Sequence, residues 1–166
     1  MKYGQVRNLD IANGPGIRVT LFVTGCPFRC SGCFNTLYQD FEYGKNWSKD
    51  TQENFLSLGE PSYIKGFSIL GGEPMAQGRA MLELLREIKR RYPEKSVWMW
   101  TGYRYEDLDV QQREFLDYLD VLVDGSFIEK LHEPGLVFKG SKNQRLIDIK
   151  QSLSSGRIVE LYLSKS

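Results

Sequence analysis

Cys26, Cys30 and Cys33 are the only cysteines in the chain, and their C-x3-C-x2-C spacing places all three in one short segment. Thiolates at such spacing suit soft metal centres, iron–sulfur clusters above all. Pro27 and Gly32 disfavour a regular helix across the segment, which leaves it free to wrap around a small object. A closed structural zinc site asks for four Cys or His ligands, and the single histidine, His132, stands far along the chain in a different predicted loop. Three thiols buried for packing alone is the plain alternative, and their clustering weighs against it. A four-iron cubane normally takes four thiolates, so three would leave one iron open to a ligand that is not protein.

A second group stands at Gly71-Gly72-Glu73-Pro74. Two glycines let the backbone approach a ligand closely, and Pro74 suits the first position of a following helix, where its missing N–H is no loss. Free carbonyls here, or the Glu73 carboxylate, would accept hydrogen bonds from an ammonium group. Taken alone, the four residues are an ordinary turn into a helix. Thr101-Gly102-Tyr103 and Asp124-Gly125-Ser126 form two further glycine-bearing turns.

The elements that must position these groups alternate in type. Strands are predicted at Ile17–Thr24, Gly66–Leu70, Val97–Trp100, Val121–Val123, Arg145–Ile149 and Ile158–Leu163. A helix is predicted over Gln77–Tyr92, with Met81, Leu84, Leu85 and Ile88 on one face. Others are predicted over Tyr105–Leu119 and over Ser48–Leu58, the latter with Ser48 as its N-cap. Ser126–Glu133 and Lys150–Ser155 read as irregular connections. With no repeat, low-complexity tract or linker, one α/β domain spanning 1–166 with a mainly parallel sheet is expected. A complete eight-unit barrel takes roughly 250 residues, so about six strands would make a partial (β/α) barrel or an open sheet. In either case ligands bind at the carboxyl ends of the strands. The cysteine loop and the three other glycine turns all fall at that end.

Composition narrows the setting. The chain has 166 residues, 22 Lys+Arg against 21 Asp+Glu, and a net charge of +1, which argues against a nucleic-acid surface. No apolar run is long enough to cross a membrane, and the first residues lack a signal-peptide pattern. An odd, clustered cysteine count is the usage of a reducing, cytoplasmic compartment rather than of a disulfide scaffold.

The cysteine motif, paired with Gly71-Gly72-Glu73-Pro74 in the next strand–helix unit, resembles the radical S-adenosylmethionine enzymes. The resemblance implies a partial barrel of that type in which Cys26, Cys30 and Cys33 hold one 4Fe–4S cluster. It implies that S-adenosyl-L-methionine chelates the open iron and is cleaved by one electron to methionine and a 5′-deoxyadenosyl radical. Asn13-Gly14-Pro15-Gly16-Ile17-Arg18 resembles the lead-in of the glycyl-radical-enzyme activases, although N-G and G-P-G are also plain turn signals. Trp100–Tyr103, Val123–Phe127 and Gly140–Asp148 are similar to the activase branch that serves anaerobic ribonucleoside-triphosphate reductase.

That branch implies abstraction of an α-hydrogen from a glycine in a loop of the reductase, with a flavodoxin-like protein as electron donor. It implies cofactor contacts at Gly71, Gly72, Glu73, Pro74, Gly32, Phe34, Thr101 and Asp124, and partner contacts at Asn13, Gly14 and Arg18. No acid–base residue is needed beyond cluster and cofactor. Three positions depart from the pattern. Gly32 stands where many members carry an aromatic residue against adenine, which leaves Phe34 or Phe28 for that contact. Asp124-Gly125-Ser126 replaces an Asp-x-Lys, so Asp124 is either a cofactor or cation contact or a turn-forming residue. Asn143-Gln144-Arg145 precedes its strand, with cofactor binding, partner docking and the start of the strand all open as roles. The alternatives are a small radical enzyme acting on a small molecule, and a non-catalytic iron–sulfur electron carrier.

Overall fold

The structure, a computed structural model, describes residues 1–164; residues 165 and 166, included in the expected single domain, lie outside it. Seven strands are present: β1 (Lys2–Asp10), β2 (Ile17–Val23), β3 (Lys45–Asn46), β4 (Ile64–Gly71), β5 (Ser96–Trp100), β6 (Val121–Asp124) and β7 (Arg145–Asp148). They form one open sheet in the order β3-β1-β2-β4-β5-β6-β7. The centre, β2-β4-β5-β6, is parallel. β1 and β3 extend it on one side and β7 on the other, all antiparallel. The mixed α/β class expected from the pattern is present, but the parallel character is confined to the middle of the sheet.

Alternate residues of the central strands form one apolar face beneath the helices, while Arg18, Thr20, Ser68, Trp98 and Val123 alternate onto the other face. Val19, Leu21, Phe67, Ile69, Val97, Met99 and Leu122 have no exposed surface. The covering helices are α1 (Lys49–Ser57), α2 (Gly78–Arg91), α3 (Val110–Phe115) and α4 (Ile149–Ser155). α2 drives Met81, Leu84, Leu85 and Ile88 into the core, and Lys89, Arg90 and Arg91 end it where positive charge suits the helix dipole. Ser48 caps α1 as predicted, accepting from the Thr51 amide.

Four expectations are corrected. β1 and β3 were not anticipated, since Lys-Tyr-Gly-Gln-Val-Arg-Asn-Leu-Asp lacks a clean apolar alternation and its ladder comes from β2. Tyr105–Leu119 is not one helix: Asp109 opens a new capping box with Gln112, so a short α3 sits between single 3-10 turns. Ile158–Leu163 makes only an isolated bridge, Glu160 to Ile147, and is not a strand. Lys150–Ser155 is helical because Asp148 caps its start and left-handed Gly156 closes its end. No helix among the described residues is long and apolar enough to cross a membrane.

Candidate functional site

Each of β2, β4, β5 and β6 ends at the same edge of the sheet and hands over to one of the glycine-bearing turns. A cavity of about 490 Å³ opens there, within the range of small-molecule sites. Cys26, Cys30 and Cys33 share its wall with Gly71, Gly72, Glu73, Thr101 and Gly102. All three thiols are free and half-buried. Burial pushes the Cys26 thiol up to about 11 and raises that of Cys30, so loading with metal must release protons.

No group of three or more His, Cys, Asp or Glu side chains among the described residues is gathered to hold a single metal ion. A cubane makes a different demand, since each thiolate takes its own iron and the sulfurs stand apart around it. Three soft donors on one cavity wall, without a fourth, fit that group.

Backbone hydrogen bonds lock the first two turns together. Gly72 N–H donates to the Val23 carbonyl (2.7 Å) and Glu73 N–H to that of Gly25 (2.8 Å). Gly25 and Cys26 donate in turn to Tyr38 (2.8 Å) and Gln39 (3.0 Å). The seam is too tight for a side chain: a Cβ on Gly72 would lie 2.6 Å from the Gly25 oxygen and 2.7 Å from that of Tyr38. Gly71, at φ +111°, adopts a conformation that favours glycine. The Gly72 carbonyl itself accepts no hydrogen bond among the described residues.

Glu73 is wholly buried. Its carboxylate accepts from Met75 N–H (3.0 Å), the Thr101 hydroxyl (2.6 Å) and Gly102 N–H (2.7 Å), tying the turn after β4 to the turn after β5. These internal donors occupy the carboxylate, which leaves backbone carbonyls as the acceptors for an incoming ammonium. Burial outweighs the three bonds and pushes the Glu73 pKa up to about 7 from an ordinary 4.5. A raised acid pKa makes the contribution of Glu73 to folding fullest below pH 4.5 and lost as pH rises through about 7. In metal-free protein, denaturant unfolding at pH 5 and 8 should therefore show the wild type losing up to about 3 kcal/mol relative to Glu73→Gln. Equal pH dependence in the two proteins would contradict this.

Phe28 packs edge-on against Tyr103, ring centroids 4.8 Å apart, and lies over Gly102. Phe34 also lines the cavity, is 74% exposed, and stands 5.0 Å from Phe127 and 5.6 Å from His132. Gly32 faces elsewhere: a Cβ there would meet the Glu129 side chain at 2.6 Å. Pro74 is buried and opens a single 3-10 turn.

Five expected contacts, Gly14, Arg18, Gly32, Pro74 and Asp124, are absent from the cavity wall. Asp124 is absent from the cavity wall; it is buried and accepts from Tyr105 N–H (2.8 Å) and from Arg145 Nε (3.0 Å) and Nη2 (2.6 Å). Asp124→Asn should accordingly cost about 2–3 kcal/mol in thermal or denaturant unfolding while leaving iron content unchanged. Arg18 cannot face a partner, being fully inside the sheet, and Gly14 is buried against its side chain. Of the expected partner contacts only Asn13 lines the cavity, with its amide donating to Asp10 Oδ2 (2.7 Å).

The covering segment after β6 went unrecognised. Phe127 and His132 line the cavity from Ser126–Glu133, expected as an irregular connection, and Leu136 and Phe138 line it from the residues that follow. Its run of aromatic, Pro and Gly residues was the available signal. Asn143 and Gln144 hold this segment in place, donating to the Ser126 (2.7 Å) and Gly125 (2.9 Å) carbonyls, while Arg145 pairs with Asp124 and Glu106.

Three thiols that leave a cubane one ligand short, beside a cavity for a small molecule, define an α/β iron–sulfur protein with a place for a second ligand. A family described as "4Fe-4S single cluster domain" matches residues 12–147. The chain is 40% identical over 148 residues to the anaerobic ribonucleoside-triphosphate reductase-activating protein of Vibrio cholerae, covering 87% of this chain and 96% of that one. Proteins of the same name from Enterobacteria phage T4 (40% identical, 88% and 93% covered) and Escherichia coli (37%, 87% and 96%) are similar throughout. The chain belongs to the family of anaerobic ribonucleoside-triphosphate reductase-activating proteins.

Proposed function

We propose that this chain is the activase of an anaerobic ribonucleoside-triphosphate reductase, working as one domain on a glycine in a loop of that enzyme. The observation that carries the reading is the single cavity shared by Cys26, Cys30, Cys33 and the Gly71-Gly72 turn. Cys26, Cys30 and Cys33 would hold the cluster. The Gly72 carbonyl, free of internal donors, would accept an N–H from the methionyl amino group of S-adenosyl-L-methionine, and Phe34 would contact its adenine with Phe127 behind it. Glu73 and Thr101 hold the turns rather than the ligand. When bound, the cluster and S-adenosylmethionine supply a one-electron cleavage that yields the hydrogen-abstracting radical, for which a flavodoxin-like protein is the proposed electron donor.

Around that chemistry the chain has only to bind, orient and exclude. The open sheet is read as the partial (β/α) barrel of radical S-adenosylmethionine enzymes, with β2-β4-β5-β6 as its parallel part. Segment 127–140 shields the cavity from stray hydrogen donors, and Asn13 marks the side where the glycine loop enters. A bare electron carrier has no use for a cavity of this size beside its thiols. Anaerobic incubation of the reduced protein with S-adenosylmethionine and the reductase should give a glycyl radical by paramagnetic resonance. Formation of 5′-deoxyadenosine without that radical would instead support a small-molecule substrate.

A further inference from the structure

Gln77 stands at the N-cap of α2 but makes no side-chain capping bond. Its amide nitrogen turns back across the preceding turn and donates toward three carbonyl oxygens: Thr24 (3.0 Å), Gly25 (3.2 Å) and Glu73 (3.1 Å). An amide carries two N–H protons, so the three oxygens share them in bifurcated fashion. The carbonyls belong to two different strand–helix units. Thr24 and Gly25 immediately precede Cys26, while Glu73 ends the glycine turn. Among the described residues, Gln77 is the only side chain hydrogen-bonded to both.

We propose that Gln77 is a positioning residue that sets the register between Cys26 and the Gly72 carbonyl, and so between the cluster and the amino-acid end of S-adenosylmethionine. The inference rests on the reading of the cavity given above. The cluster is held from the Cys26 side of the seam, and its second ligand is held from the Gly72 side. Two sets of contacts on one object must agree to a fraction of an ångström. Without the amide, the Thr24 carbonyl loses its donor, the Gly25 and Glu73 carbonyls keep only the backbone N–H bonds of Glu73 and Ala76, and the seam relaxes. The two backbone bonds across it remain, so the three-thiolate site survives while its alignment with the second ligand does not.

Gln77→Met keeps length and bulk but removes the donor; Gln77→Glu sets an anion against the three oxygens. Both should reconstitute with wild-type iron and sulfide content. The S-adenosylmethionine concentration that half-perturbs the paramagnetic resonance signal of the reduced cluster should rise about tenfold for Met and further for Glu, tenfold being 1.4 kcal/mol. If Glu does not fold, Met alone carries the test. A Met variant that responds at the wild-type concentration overturns the proposal, whatever its thermal midpoint. Loss of the cluster itself also overturns it, because Gln77 would then support the cysteine loop only. Absence of any response in the wild type would overturn the reading of the cavity instead.

Discussion

Single replacement of Cys26, Cys30 or Cys33 by Ala is expected to abolish the intact cluster and to reduce S-adenosylmethionine cleavage to background. The expectation follows from ligand count. A cubane tolerates one open iron because a second ligand fills it. The chain holds no other cysteine to take over a second vacancy. The imidazole of His132 lines the same cavity, but its Nδ1 is engaged with the Gly140 carbonyl at 2.6 Å and its ring is wedged against Phe34 and Phe127. Iron and sulfide content after anaerobic reconstitution, together with 5′-deoxyadenosine formed under reducing conditions, measure the two effects separately. Cleavage retained by any one of the three variants would contradict the ligand assignment. The fold should survive, since the thiols are half-buried loop residues and contribute nothing to the main core.

Arg18→Ala is expected to act in the opposite way, through the fold. The guanidinium has no exposed surface and donates to Ser68 Oγ (2.7 Å), Phe67 O (2.9 Å), Ser96 O (3.0 Å), Ser96 Oγ (2.9 Å) and Pro15 O (3.2 Å). It therefore stitches β2 to β4 and β5 from within the sheet. Burial lowers its pKa to about 10, with Asp120 and Asp10 opposing that shift, so it stays charged at neutral pH. Truncation empties a large volume and leaves several buried acceptors without a donor, a loss of about 3–5 kcal/mol. Denaturant unfolding of the metal-free protein measures it. A loss below about 1 kcal/mol would show that water or repacking replaces the guanidinium.

The three cysteines and Arg18 mark what was and was not legible in the sequence. The cysteine loop was legible because its chemistry is local: spacing, Pro27 and Gly32 say what it can hold without any knowledge of the fold. The strand ends that gather Gly71, Thr101 and Gly125 were legible from periodicity, because a parallel sheet brings successive carboxyl ends to one edge. Arg18 was expected to contact a partner because residues 13–18 resemble the activase lead-in, whereas the structure buries it. Nothing along the chain shows Ser68, Phe67 and Ser96 converging on it from two other strands. Asp124 was left between a ligand contact and a turn, and its pairing was not legible because its partner Arg145 lies on an antiparallel strand. β1 and the covering segment owe their form to neighbours rather than to their own patterns. The adenine contact proposed at Phe34 draws its support from Phe127 and His132, remote in sequence.

The measurement closest to the central claim is the paramagnetic resonance spectrum of the reconstituted, reduced protein before and after addition of S-adenosylmethionine. One site built from three thiols and the Gly71-Gly72 turn predicts a changed spectrum, because a ligand held beside the thiols would alter the surroundings of the cluster. An unchanged spectrum at saturating S-adenosylmethionine would contradict the account and leave the protein a simple electron carrier.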